Sequence, residues 1–190
     1  MKHWVMDYET LSDCLVAVFE HYKTNETKTF VVHDLQNDFD EFINFLKDNI
    51  ENKEWHISYN GLAFDAQVTH YILDNYEQWD ADLSGCEIAT IIYNYAQYCI
   101  QKSNNKEFSD YPQWKMKIGQ IDLFKLHHWD NPAKRSSLKW IQYSMDWQNI
   151  LEMPIDHTTK LTTKEELDQV IEYCINYVQS TKACSYTKHT

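Results

Sequence analysis

The sequence predicts an α/β domain, a mixed β-sheet with helices on its faces, and three observations predict it. Short runs rich in Val, Phe and Tyr crowd the first third of the chain, where strands are expected. Longer segments with apolar residues at helical spacing dominate the rest. The chain has 190 residues, 43% of them hydrophobic and 15% aromatic, enough for one domain with a substantial core.

Taken in order, Trp4 to Tyr8, Asp13 to His21 and Thr29 to His33 read as three antiparallel strands, with polar "KTNETK" turning the last hairpin. "NDFDEFINFLKDNIEN" places Phe39, Phe42, Ile43, Phe45, Leu46 and Ile50 on one helical face. "WHISYN" reads as a buried strand ending at an Asn60-Gly61 turn, and a helix from about Ala63 to Asn75 follows. "CEIATIIYNYAQYCIQK" is again helical, "SNNKEFSDYPQW" is a polar loop and "KIGQIDLF" a short strand. Ser136 or Ser137 caps a helix through Met145. "LTTKEELDQVIEYCINYVQSTKAC" closes the chain as a helix, with Thr162 or Thr163 as N-cap and Glu165 or Glu166 completing a capping box. No repeat, low-complexity segment or domain boundary is visible.

Composition removes several function classes. Three glycines (Gly61, Gly85, Gly119) cannot assemble a glycine-rich phosphate cradle. Five cysteines without CxxC spacing argue against a disulfide framework and for a reducing compartment, so a cytoplasmic protein is expected, host cytoplasm if the source is viral. No stretch has signal-peptide or membrane-span character. A net charge of -12 disfavours capture of duplex nucleic acid by bulk electrostatics, so any such contact must be local, for instance through cations held between carboxylates and phosphate.

"WVMDYET" sets Asp7 and Glu9 two apart on a strand, so both carboxylates point to one face. A solvated strand end is the plain alternative; a pair of ligands for a hard divalent cation is the chemical one. In "YNGLAFD", a strand, a turn and a helix bring Asp65 into a first helical turn, where it either favours the helix dipole or adds a third carboxylate.

"DYET", then "NGLAFD", then "YCINYVQST" in this order resemble the three exonuclease motifs of the DEDD superfamily, especially the proofreading domains of phage-type DNA polymerases. "IDLFKL", "SSLKWIQYSM" and "LEMPIDH" also resemble the segments between the second and third motifs, so the likeness spans nearly the whole chain. The resemblance implies an RNase H-like fold and hydrolysis of a 3′-terminal phosphodiester with two Mg²⁺ or Mn²⁺ ions, about 4 Å apart. It implies that Asp7 bridges both ions, Glu9 holds the nucleophile-side ion, Asp65 supports the second, and Tyr173 orients the attacking water. With an ordinary pKa of about 10, that phenol is a positioner rather than a base. Asn60 and Phe64, with Thr10 and Leu11, resemble positions that hold or wedge terminal nucleotides; a turn residue, a core aromatic and loop packing are their plain readings. The implied partners are a single-stranded DNA 3′ end, with RNA open because no residue identifiably senses a 2′-hydroxyl, and a polymerase domain.

One position departs. The tyrosine branch of the superfamily carries Tyr-x-x-x-Asp in its last motif, and Tyr177 stands where that aspartate is expected. A neutral phenol is a poor Mg²⁺ ligand and bulkier than aspartate, so reduced activity is expected. Tyr177 reads as a displaced ligand rather than as a stacking partner for Tyr173. Asp168 lies out of phase on the helix, and Asp122 is a more distant substitute. The competing class is a catalytically inactive module that binds single-stranded ends or docks on a polymerase or another protein. Lys139 could meet a phosphate or simply be solvated, and His127, His128 and Asp130 make a weak zinc motif.

Overall fold

Alternation of apolar residues in the opening strands is what makes a two-sided sheet possible. The structure, a computed structural model, describes residues 3–127 and 136–186. Strands β1 (His3–Leu11), β2 (Cys14–His21), β3 (Thr27–His33) and the short β4 (Gln36–Asn37) form an antiparallel meander. Helix α1 (Phe39–Glu51) then leads to β5 (Trp55–Ser58), which lies parallel to β1, and later β6 (Gly119–Asp122) lies parallel to β5. The sheet order is β4-β3-β2-β1-β5-β6, six strands of mixed direction. β4 is absent from the sequence reading because two residues carry no periodicity.

The two faces of β1 feed two cores. Trp4, Met6 and Tyr8 join Phe19, Phe42, Leu46, Ile72 and Ile92 on the side covered by α1, α2 (Asp65–Asn75) and α3 (Gly85–Asn104). Val5 and Leu11 join Val16, Val18, Val170, Cys174 and Val178 on the side covered by the short α5 (Leu138–Ser144) and the long α6 (Lys164–Tyr186). The period of two therefore sends Asp7 and Glu9 toward α6.

Local chemistry agrees with these boundaries. Ser84 and Glu87 make a reciprocal capping box on α3. Ser137 accepts the Trp140 N–H, and Thr163 accepts the Glu166 N–H while the Glu166 carboxylate takes the Thr162 and Thr163 N–H groups. Near its end α6 is tied to β2 by buried Lys182, whose ammonium donates to Glu20 (2.6 Å), the His21 carbonyl (3.0 Å) and Asn25 (2.5 Å). That fully partnered charge fixes how α6 lies along the sheet. A five-residue helix, α4 (Leu123–His127), follows β6 directly. Among the described residues, no helix is long and apolar enough to cross a membrane.

Candidate active site

β1 outruns its parallel neighbour. Its pairing with β5 ends at Val5↔Ile57, whereas its pairing with β2 continues to Leu11↔Cys14. Beyond Val5, one edge of β1 is therefore open, and the chain leaving β5 folds back into that opening. At the fold-back, where the sequence predicts an Asn60-Gly61 turn, Asn60 takes the left-handed conformation (φ 64°). Gly61 does not need positive φ; it needs no side chain, because a Cβ there would sit 2.0 Å from the Ser58 hydroxyl. A 3₁₀ turn over Gly61–Ala63 precedes α2, which begins at Asp65 rather than Ala63.

Asp122, at the end of β6, builds this loop. Its two carboxylate oxygens accept the N–H groups of Asn60 (2.9 Å), Leu62 (3.2 Å) and Phe124 (3.0 Å). Asp122 is therefore not a substitute ligand but the anchor of the segment that carries Asp65. Replacing Asp122 by alanine is expected to cost about 3 kcal/mol, since buried backbone donors lose a charged acceptor, and urea unfolding would measure it.

Asp65 accepts its own N–H and that of Tyr8 on the open edge. Tyr8 also exchanges a hydroxyl hydrogen bond with Thr69 (2.8 Å), and Thr69 donates to the Asp65 carbonyl (2.8 Å). Asp65 and Glu9 are only 4% and 8% exposed, and Asp7 is half-buried. The three carboxylates lie close enough to raise one another. Burial, then Asp65, then Glu9 hold Asp7 well above the usual carboxylate range. Burial and then Asp65 push Glu9 from 4.5 to about 8, and burial and then Asp122 push Asp65 from 3.8 to about 7. A side-chain hydrogen bond with Glu9 adds to the rise at Asp7.

None of the three carboxylates has an ion-pair partner among the described residues. Buried carboxylates that raise one another repel when ionised, so the group needs either a proton or a cation. A set of hard oxygens without a cationic side chain suits Mg²⁺ or Mn²⁺.

The pH dependence follows with a definite sign. Between roughly pH 4.5 and 8, the folded chain binds more protons at Glu9 and Asp65 than the unfolded chain does. Their contribution to stability is thus fully present below the unfolded pKa and is lost as pH rises through the folded one. In thermal melts with a chelator, the triple variant Asp7→Asn, Glu9→Gln, Asp65→Asn is expected to lose less stability from pH 5 to pH 8 than the parent. Mn²⁺ is expected to raise the parent's Tm more at pH 8 than at pH 5.

Helix α6 roofs the carboxylates. Cys174 points its thiol at the Asp7 carbonyl (3.4 Å) and, more distantly, at the Asp7 carboxylate (3.9 Å). Tyr173 is 8% exposed, and burial, a hydrogen bond with Tyr177, and the nearby Glu9 and Asp7 push its phenol far above its ordinary value. It is a neutral donor at any physiological pH. Tyr177, half-buried, packs its ring at 4.6 Å and 35° to that of Tyr173. Four residues is just over one helical turn, so the two rings meet in a tilted rather than a stacked contact.

Tyr177 also lines a cleft of ≈ 590 Å³ together with Asp7, Asn60, Tyr59 and Lys139. Lys139 lines the cleft while staying solvated, and is paired with Glu152. Asp168 sits away from the site, paired with Lys164 at 3.2 Å. Phe64 packs against the α1–α3 core, Thr10 is 4% exposed with its carbonyl facing His157 (3.2 Å), and Leu11 is fully buried under α6. These three sit as packing residues, whereas Asn60 is exposed to the cleft. His128 and Asp130 of the zinc motif lie outside the described residues.

Among the described residues, the group of ligand-type side chains whose atoms all lie within 4.8 Å of one another is a different one, and Asp7, Glu9 and Asp65 do not reach that spacing together. The members of that group are too far apart in the chain for the sequence to pair them. Asp13, His33 and Cys86 place ligand atoms within 4.8 Å of one another. The His33 Nδ1 accepts the Leu35 N–H (3.0 Å), so the ring proton lies on Nε2, 3.8 Å from the Asp13 carboxylate. That tautomer opposes metal ligation at Nε2, which is buried without a hydrogen-bond partner among the described residues. The chain matches no protein-family model, and no curated protein matches it.

Proposed function

We propose that this chain is a metal-dependent 3′-to-5′ exonuclease domain of RNase H-like architecture, acting on the single-stranded 3′ end of DNA and attenuated by Tyr177. The observation that carries the reading is the grouping of Asp7, Glu9 and Asp65, which have no ion-pair partner among the described residues, beside the phenol of Tyr173. The strand order supports it as well: an antiparallel meander through β1, then two parallel strands added beside β1.

Asp7, Glu9 and Asp65 would hold Mg²⁺ or Mn²⁺, which when bound supplies charge stabilisation at the phosphate and acidifies water. The chain's own contributions are positional. Tyr173, kept protonated by burial, donates a hydrogen bond that orients an attacking water. Asn60, exposed at the mouth of the cleft, meets the terminal nucleotide. Tyr177 supplies no anion, since burial holds its phenol above the usual range, and its contact with Tyr173 competes for the positioning hydroxyl. Both effects lower the rate without removing the site.

The test is a 5′-labelled single-stranded oligodeoxynucleotide incubated with Mn²⁺ beside a circular single strand. A ladder shortening from the 3′ end by single nucleotides, with the circle intact, is expected from the chain and more strongly from Tyr177→Asp. Cutting of the circle, or no product from either protein, overturns the reading.

A further inference from the structure

One ionisable group beside the carboxylates has no part in the proposed chemistry. Cys174 is fully buried, and its thiol faces Asp7, 3.4 Å from the backbone carbonyl and 3.9 Å from the carboxylate. It stands three residues before Tyr177, and side chains at that spacing are neighbours on one helical face. Position 177 supplies no anion, so a sulfur is what this face of α6 offers Asp7 in its place. Oxygen and sulfur ligands lie about 2.0–2.2 Å and about 2.3 Å from a zinc ion, a sum of about 4.3–4.5 Å. The 3.9 Å between the Asp7 carboxylate and the Cys174 sulfur is shorter than that sum, so a single ion can touch both. Glu9 and Asp65, both more than nine-tenths buried, have no ion-pair partner among the described residues, so the charge of such an ion is wanted here.

We propose that Cys174 is a sulfur ligand of the metal site, sharing an ion with Asp7, and that it makes the chain prefer thiophilic ions such as Zn²⁺ and Co²⁺ to Mg²⁺. The inference rests on the exonuclease reading and adds the choice of metal to it. Without a cation, burial and then Asp7, Glu9 and Asp65 keep the thiol protonated; on coordination the proton passes to solvent as the sulfur–metal bond forms. The Val18 N–H is already directed at the sulfur and favours its anion, as outer partners of metal-bound donors do. Mg²⁺ keeps to oxygen ligands and gains nothing from the sulfur. The other thiol with ligand-type neighbours, Cys86, faces a His33 nitrogen that carries a proton, and it serves as the control.

The experiment titrates the full chain with Co²⁺ and follows the near-ultraviolet charge-transfer band of a sulfur–cobalt bond, with calorimetry of Zn²⁺ and Mn²⁺ alongside. The parent and Cys86→Ser are expected to show the band, and Cys174→Ala to lose it. Cys174→Ala should also bind Zn²⁺ on the order of 100-fold more weakly while its Mn²⁺ affinity stays nearly unchanged, because Mn²⁺ is held by oxygen. A parent that binds Co²⁺ without the band, a band that persists in Cys174→Ala, or equal losses of Zn²⁺ and Mn²⁺ affinity in that variant would overturn the sulfur ligand and leave the exonuclease reading standing. A parent that binds none of the three ions would overturn both.

Discussion

Tyr177→Asp is expected to raise Mn²⁺-dependent release of 3′-terminal nucleotides on the order of 100-fold or more, because it adds an anionic oxygen and frees the Tyr173 hydroxyl together. The two contributions separate. Tyr177→Ala also frees Tyr173 but adds no ligand, so its rate should rise far less than that of Tyr177→Asp. Tyr173→Phe in the Tyr177→Asp background should then lower the rate at unchanged metal affinity, as expected for a group that positions water rather than holds a cation. Equal rates for the parent and Tyr177→Asp would show that position 177 does not limit the chemistry.

Asp7→Asn should move activity and stability in opposite directions. Burial, then Asp65, then Glu9 raise Asp7, so replacing it removes a carboxyl whose ionisation the folded chain disfavours. Metal-dependent activity in the Tyr177→Asp background should disappear. Without metal at pH 8, the Asp7→Asn chain should melt about 2–5 °C above its parent, corresponding to about 1 kcal/mol of relieved repulsion. With Mn²⁺ the order should reverse, since only the parent gains stability from binding. A loss of stability without metal would mean that Asp7 serves the fold through hydrogen bonds rather than straining it.

The antiparallel strands and the longer helices were legible because their signals are local. Alternation along β1 and β2 and the periodic faces of α1 and α6 depend on neighbours in sequence. Asp7 and Glu9 could be paired for the same reason, and the strand, turn and helix of "YNGLAFD" offered Asp65 as a third carboxylate, with the helix dipole as the alternative that the resemblance of ordered motifs outweighed. What was not legible depends on register between distant segments. That Asp122 anchors the Asn60 loop follows from the parallel pairing of β5 with β6, which no periodicity specifies. That Lys102 and Lys139 are paired depends on where Asp110 and Glu152 end up. The contact of Tyr173 with Tyr177 follows from helical spacing, since side chains four residues apart lie nearly above one another.

The account depends most on cation binding by Asp7, Glu9 and Asp65, and calorimetric titration with Mn²⁺ at pH 8 tests this directly. At least one saturable site is expected in the parent, a second or tighter one in Tyr177→Asp, and none in Asp7→Asn. Absence of binding in the parent and in Tyr177→Asp, or undiminished binding in Asp7→Asn, would contradict the assignment of these carboxylates as the metal site.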